Sequence, residues 1–158
     1  EDIVYATNAL IANDSGGTVR RWTFPIIITN KHIIFFQPPH PKYEQGIKKV
    51  PLYKTHVFKN YKHIYVASWD FRPKHHKKMG ESKEDFKLRW EEFQKIVLPY
   101  VIESQKEHLK LIEANKNNPE FYDKKDLMKM PYFGSEKKLE KNIRKRLPKF
   151  EKSLEKLV

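Results

Sequence analysis

The stretch TVRRWTFPIIITNKHIIFF, residues 18–36, decides how the chain is read. Thr18 to Thr29 is rich in β-branched and aromatic residues, the types that fit a pleated surface, and reads as a strand. Asn30-Lys31 is a tight turn, and His32 to Phe36 returns as a second strand. Pro25 has no N–H to give to a ladder, so it predicts an edge position or a bulge. The pattern is an antiparallel hairpin, extensible to a three-stranded sheet. Upstream, Ile3 to Ala12 reads as a first strand or an extended arm, and Asn13-Asp14-Ser15-Gly16-Gly17 as a turn. Ser15-Gly16-Gly17 is half of a phosphate loop at most, because no Gly-Lys-Ser/Thr ending and no helical pattern follow.

Downstream, Gln37 to Leu52 is proline-rich. Residues before proline are pushed to β or polyproline geometry, so this segment reads as an extended arm. Thr55 to Phe71 carries an apolar patch at His63-Ile64-Tyr65-Val66-Ala67 and can add another strand. Arg72 to Lys78, RPKHHKK, is a basic loop.

The second half changes period. Ser82-Lys83-Glu84-Asp85 is a helix start, with Ser82 as cap and Asp85 at the reciprocal position. Phe86, Trp90, Phe93, Val97 and Tyr100 follow at spacings of three and four, one apolar stripe on a helix. The stripe resumes weakly at Leu109 and Ile112. Asn115 to Pro119, NKNNP, stops it. Ser135 caps a last helix whose Leu139, Ile143, Leu147, Phe150, Leu154 and Leu157 form a near-heptad stripe. Pro99 and Pro148 each predict a kink or an end, which would split the last helix in two. The expectation is that these stripes dock on neighbouring proteins and that the isolated chain is poorly stable.

The fold class is therefore α+β: a small antiparallel sheet in the N-terminal half, an extended proline-rich arm and a helical C-terminal half. Residues 1–71 form a small β-rich domain with the arm at 37–52, residues 72–81 a basic linker, and residues 82–158 a helical extension.

Of 158 residues, 39% are hydrophobic and 33% charged, and the formal net charge is +12. Such a field attracts polyanions, RNA or DNA before anionic membranes. No run of 18 apolar residues predicts a spanning helix. With Cys at 0, disulfides and thiolate zinc sites are excluded. The sequence opens on Glu1, which fits a processed N-terminus or a truncated one, and no targeting segment is visible. Residues 37–80 carry 10 basic and 2 acidic side chains, and residues 119–158 carry 12 and 7, so polyanion contact should concentrate there.

In the first of these segments Lys42, Lys48, Lys49, Lys54, Lys59, Lys62, Arg72, Lys74, Lys77 and Lys78 are interleaved with Tyr43, Tyr53, Phe58, Tyr61 and Trp69. Cations neutralise phosphates and exposed aromatics stack on splayed bases. The plainer reading makes the aromatics core and the lysines a solvated surface. The last helix adds Lys137, Lys138, Lys141, Arg144, Lys145, Arg146 and Lys149, of which Arg144, Lys145 and Arg146 are expected to bind RNA.

Five of the seven histidines, His40, His56, His63, His75 and His76, lie between residues 37 and 80, as does Asp70. Imidazoles with a carboxylate can hold a metal or cleave phosphodiesters. The spacing lacks a recognisable ligand pattern, so half-exposed polar contacts are the preferred reading. Glu84, Glu91, Glu92, Glu103 and Glu107 alternate with lysines and read as a solvated helix face. No catalytic residue, metal site, cofactor or small-molecule substrate is expected, and no membrane insertion.

The run Thr29–Pro51 resembles a mitochondrial large-subunit ribosomal protein family, number forty-two in that series. The matching pieces are Ile33-Ile34-Phe35-Phe36, His40-Pro41, Tyr43-Glu44, Lys48-Lys49 and Pro51. Lys42 stands where the family has proline, the spacing to Pro51 differs, and the helical half has no counterpart. The resemblance implies a non-enzymatic structural constituent of the mitochondrial ribosome, with ribosomal RNA and neighbouring ribosomal proteins as partners. The alternatives are a cytoplasmic assembly, a soluble subunit of another large mitochondrial complex, a DNA-binding module, or a metal-dependent nuclease using the histidine-rich segment.

Overall fold

The computed structural model describes residues 1–15, 18–37, 46–58, 63–66, 69–71, 82–124 and 135–158. The quoted stretch supplies two strands of a sheet that has seven among the described residues. These are β1 (Ile3–Ser15), β2 (Thr18–Thr29), β3 (His32–Gln37), β4 (Gly46–Pro51), β5 (Thr55–Phe58), β6 (His63–Val66) and β7 (Trp69–Phe71). A 3-10 turn at Leu52–Lys54 separates β4 from β5. The order across the sheet is β4-β3-β2-β1-β7-β6-β5, every pair antiparallel.

The sheet is wider than three strands for two reasons. Thr55–Phe71 folds into three short strands, and the second half of the proline-rich arm is recruited as β4, with Ile34 opposite Lys49 and Phe36 opposite Ile47. Gly46 opens β4 at φ 132°, a conformation that a side chain would strain. Pro25 lies one residue beyond the β2–β3 ladder, which runs from Ile26–Phe35 to Ile28–Ile33. β2 is thus an inner strand and not the edge expected, but at Pro25 it pairs only with β1 among the described residues, so no β3 ladder bond is lost there. The hairpin's irregularity falls elsewhere, between Ile3 and Tyr5. The turn at Asn30-Lys31 is fastened by Thr29, whose Oγ1 accepts from the N–H of Lys31 at 3.2 Å and of His32 at 2.8 Å.

Helix α1 (Lys83–Ala114) starts at Ser82, whose hydroxyl accepts the Asp85 N–H at 3.1 Å. It ends at Asn115, whose Nδ2 donates to the Leu111 carbonyl at 2.9 Å. A single turn, α2 (Pro119–Tyr122), follows. Helix α3 (Glu136–Leu157) is capped by Ser135 as expected, its hydroxyl accepting the Lys138 N–H at 3.3 Å.

Neither interior proline ends or splits its helix. Proline in a helix costs roughly 3 kcal/mol through the lost bond to the carbonyl four residues back. Burial of one large apolar side chain returns about 1.5–3 kcal/mol. Val97, Leu98, Val101 and Ile102 are buried around Pro99, and Leu147 and Phe150 around Pro148, so packing wins. Pro99 and Pro148 are themselves exposed, as are Lys95 and Arg144 four residues back, on the side open to water.

One core joins the sheet to both helices. Ile26 and Ile28 of β2, Ile33 and Phe35 of β3, Val50 of β4 and Leu52 meet Phe93, Val97, Leu98, Val101 and Ile102 of α1 and Leu139, Ile143, Leu147 and Phe150 of α3. Tyr5 of β1 packs edge-on against Phe93, ring centroids 4.9 Å apart. This corrects the expectation that the stripes await neighbours. Among the residues whose burial is described, both stripes pack within the chain; Phe86 and Trp90 lie outside them.

Candidate nucleic-acid interface

The inward stripe of α3 fixes how the helix is rotated, and that rotation sorts its charges. At 100° per residue, Lys138, Lys141, Lys145, Lys149, Lys152 and Lys156 fall within an arc of about 80° opposite the apolar stripe. All six are exposed. Among the described residues none of the six forms an ion pair.

The four glutamates of α3 lie on a different flank, turned toward α1 and its neighbours. Glu136 accepts a hydrogen bond from His108 Nε2 at 2.7 Å. Glu140 accepts from the Tyr122 hydroxyl at 3.0 Å. Glu151 lies 3.9 Å from Lys106 of α1. Glu151 and Glu155 line an open groove of about 510 Å³ with Ile102, Lys106, Leu154 and Val158. The acids are thus drawn to the α1 side, and the far side of α3 is left purely cationic.

The three cations expected to bind RNA on this helix separate. Lys145 stands on the lysine face. Arg144 sits on the acidic flank, 3.8 Å from Glu140 and 3.7 Å from Glu113. Arg146 is half-buried beside the apolar stripe, where burial pulls its guanidinium below the usual pKa. Lys152 and Lys156 complete the face and were not expected there. A helical projection of the sequence, with the glutamates plotted beside the lysines, contains the signal.

In the N-terminal half, Lys48 and Lys49 fall on β4, an outer strand of the sheet. Lys49 is exposed and 3.0 Å from Glu1. Lys54 is 7% exposed, which withdraws it from any polyanion and corrects its expected role. It follows Leu52, whose burial in the core draws the 3-10 turn inward. Tyr53 is likewise not free to stack on a base, since its ring lies flat on His108, centroids 3.7 Å apart. Lys42, Lys59, Lys62, Arg72, Lys74, Lys77 and Lys78 lie outside the described residues, as do His40, His75 and His76. His56, His63 and Asp70 fall on β5, β6 and β7, where Tyr65 pairs with both His56 and Asp70. No group of three or more potential metal ligands is found among the described residues, and no helix among them is long and apolar enough to cross a membrane.

Two further polar clusters hold the fold. His108, 6% exposed, links α1 to Glu136 while covered by Tyr53. Beside it the buried Gln105 donates from Nε2 to the carbonyls of Thr55 at 3.1 Å and Tyr53 at 3.4 Å. This packs like a joint between turn, α1 and α3. On β2, β3 and β4, the Glu1 carboxylate gathers Lys49 Nζ at 3.0 Å, the Thr29 hydroxyl at 2.8 Å and His32 Nδ1 at 2.8 Å. These partners, the lysine foremost, pull the Glu1 carboxyl down to about 2.

The architecture defines an α+β protein with a cationic helix face. Compared with known families, curated proteins and solved structures, the chain finds no match.

Proposed function

We propose that this chain is a non-catalytic, RNA-binding structural subunit of a large ribonucleoprotein assembly. The observation that carries the reading is the lysine face of α3, six exposed ammonium groups with no acid among them. Lysines in such an array neutralise phosphates and release counterions, and this supplies affinity without chemistry. The net charge of +12 adds long-range attraction. The resemblance over Thr29–Pro51 makes the mitochondrial ribosome the assembly of choice, with ribosomal RNA and neighbouring ribosomal proteins as partners, and a cytoplasmic ribonucleoprotein the alternative. Apolar side chains left exposed on β3 and β4, Phe36 at 37% and Ile47 at 77%, offer contact surface to such neighbours.

Size fractionation of a native lysate tests this reading. Co-migration with ribosomal subunits, released by high salt, is the expected result, and migration as a free small protein contradicts it. A second reading, a metal-dependent nuclease, draws on the row His56–Tyr65–Asp70 across β5, β6 and β7. It requires RNA cleavage with added divalent metal that His56→Ala abolishes, and intact RNA under those conditions removes it.

A further inference from the structure

We infer that the lysine face of α3 binds the phosphate backbone of double-helical RNA and does so without sequence preference. The inference rests on the RNA-binding reading above and narrows it to one kind of RNA. Two features of the face, and a third that belongs to duplexes, point this way.

The first is its shape. From Lys138 to Lys156 the lysines follow one another at spacings of three, four, four, three and four along a continuous helix. At 1.5 Å per residue the row is about 27 Å long. A core-anchored rod of that length presents charge in a fixed line. A double helix already holds its phosphates in a fixed array, whereas a single strand must be ordered along the rod at an entropic cost.

The second is what the face lacks. Single-stranded RNA is held by exposed aromatic side chains on which bases stack. The one aromatic residue of α3, Phe150, is 1% exposed and belongs to the core. Lysine can meet a guanine edge, but base edges are read most closely by the planar groups of arginine, asparagine and glutamine. Of these, Arg144 is turned to the acidic flank, and Arg146 and Asn142 are half-buried. Lysine, a point charge on a flexible stem, meets phosphate without fixing a geometry, and the major groove of an A-form duplex is too deep and narrow for side chains to read.

The third is counterion release. For Z phosphates neutralised, log K falls with log salt by about 0.9Z on double-helical B-DNA, whose charge density an RNA duplex resembles, and about 0.7Z on a single strand. For six lysines the slopes are about 5.4 and 4.2, so the duplex returns more free energy per contact at low salt.

The test uses the full chain and its Lys141→Ala/Lys145→Ala/Lys149→Ala variant. The probes are two RNA duplexes of unrelated sequence, each about two helical turns long, poly(U) with the same number of phosphates, and vesicles containing phosphatidylserine. Binding is read by fluorescence anisotropy or co-sedimentation at about 150 mM salt. The expected result is duplex affinity about tenfold above poly(U) and equal for the two duplexes within about twofold, with the variant losing at least about tenfold on duplex. A cooperative melt at a temperature no lower than the parent's shows that the variant is folded. Equal or tighter binding of poly(U) through the same lysines overturns the duplex inference and leaves the RNA reading standing. Unchanged duplex affinity in the folded variant overturns the assignment to α3. Binding to vesicles with none to either RNA overturns both.

Discussion

Helices α1 and α3 lie against each other and are built alike on the inside, yet their outer faces differ in kind. Each is capped by a serine, carries a proline in its interior and buries an apolar stripe in the shared core. On its outside α1 interleaves signs, with Asp85, Glu92, Lys95, Glu103, Lys106, Glu107 and Lys110 all exposed. Residues 83–114 hold six basic and seven acidic side chains, whereas residues 136–157 hold nine and four. In α3 the surplus is concentrated by rotation onto one face. The comparison teaches that placement of charge, beyond its amount, makes a surface. Like charges at helical neighbour spacing cost a few tenths of a kcal/mol per pair, so the lysine face weakens α3 by itself. A bound polyanion removes that repulsion and stabilises the fold by mass action.

The largest effect should come from what the helices share. Phe150→Ala empties a buried site and is expected to destabilise the fold by about 3–5 kcal/mol in urea unfolding. Lys149→Ala, next to it on the outer face, should stay within about 0.5 kcal/mol. Comparable losses at both positions would erase the distinction between the two sides of α3.

The next effect separates the helices. Changing Lys141, Lys145 and Lys149 together to Glu should weaken RNA binding by about 100-fold at low salt. The same change at Lys87, Lys95 and Lys110 of α1 should move it by no more than about threefold, since those lysines stand among acids. Equal losses would mean that net charge alone governs binding.

Gln105→Leu sharpens the comparison at the joint. It strips the carbonyls of Thr55 and Tyr53 of their buried donor and should cost about 1–3 kcal/mol. The prolines supply a smaller change of opposite sign. Pro99→Ala and Pro148→Ala should each raise stability by about 1 kcal/mol, the restored helix bond outweighing the added freedom of the unfolded chain. A loss at either site would show that the fold uses the helix shape that the proline sets.

Glu1 gives the smallest effect. Its folded pKa of about 2 lies below the ordinary 4.5. A depressed carboxyl contributes stability that is present above its unfolded pKa and lost as pH falls through the folded one. The Glu1 contribution should therefore be full above about pH 5 and vanish toward pH 2, and Lys49→Met should move the Glu1 titration upward by NMR. An unmoved titration would show that the 3.0 Å contact with Lys49 does not persist in solution.

Much of this architecture is legible in residue order because local signals agree with tertiary packing. The β-branched runs around Asn30-Lys31 give the hairpin, and Ser82 and Ser135 mark both helix starts. The sheet's full width is less legible. Strand pairing is non-local, and nothing within Gly46–Pro51 announces that Ile34 and Phe36 will stand opposite. The prolines mislead because their cost is local while the burial that outweighs it comes from the sheet. Lys54 and Tyr53 mislead in the same way, carried inward with the buried Leu52. The lysine face and its separation from the glutamates are written in the sequence at helical spacing, but the partners that hold those glutamates, His108, Tyr122 and Lys106, are brought alongside only by the folded chain.

The central claim, that α3 is a polyanion-binding face, is tested most directly by the salt dependence of RNA binding. Log affinity should be measured against log salt between about 50 and 200 mM for the parent chain and for its Lys141→Ala/Lys145→Ala/Lys149→Ala variant. Both should fall linearly, with the variant's slope shallower by about two to three, at about 0.7–0.9 for each contact removed. Parallel lines for the two proteins would contradict it.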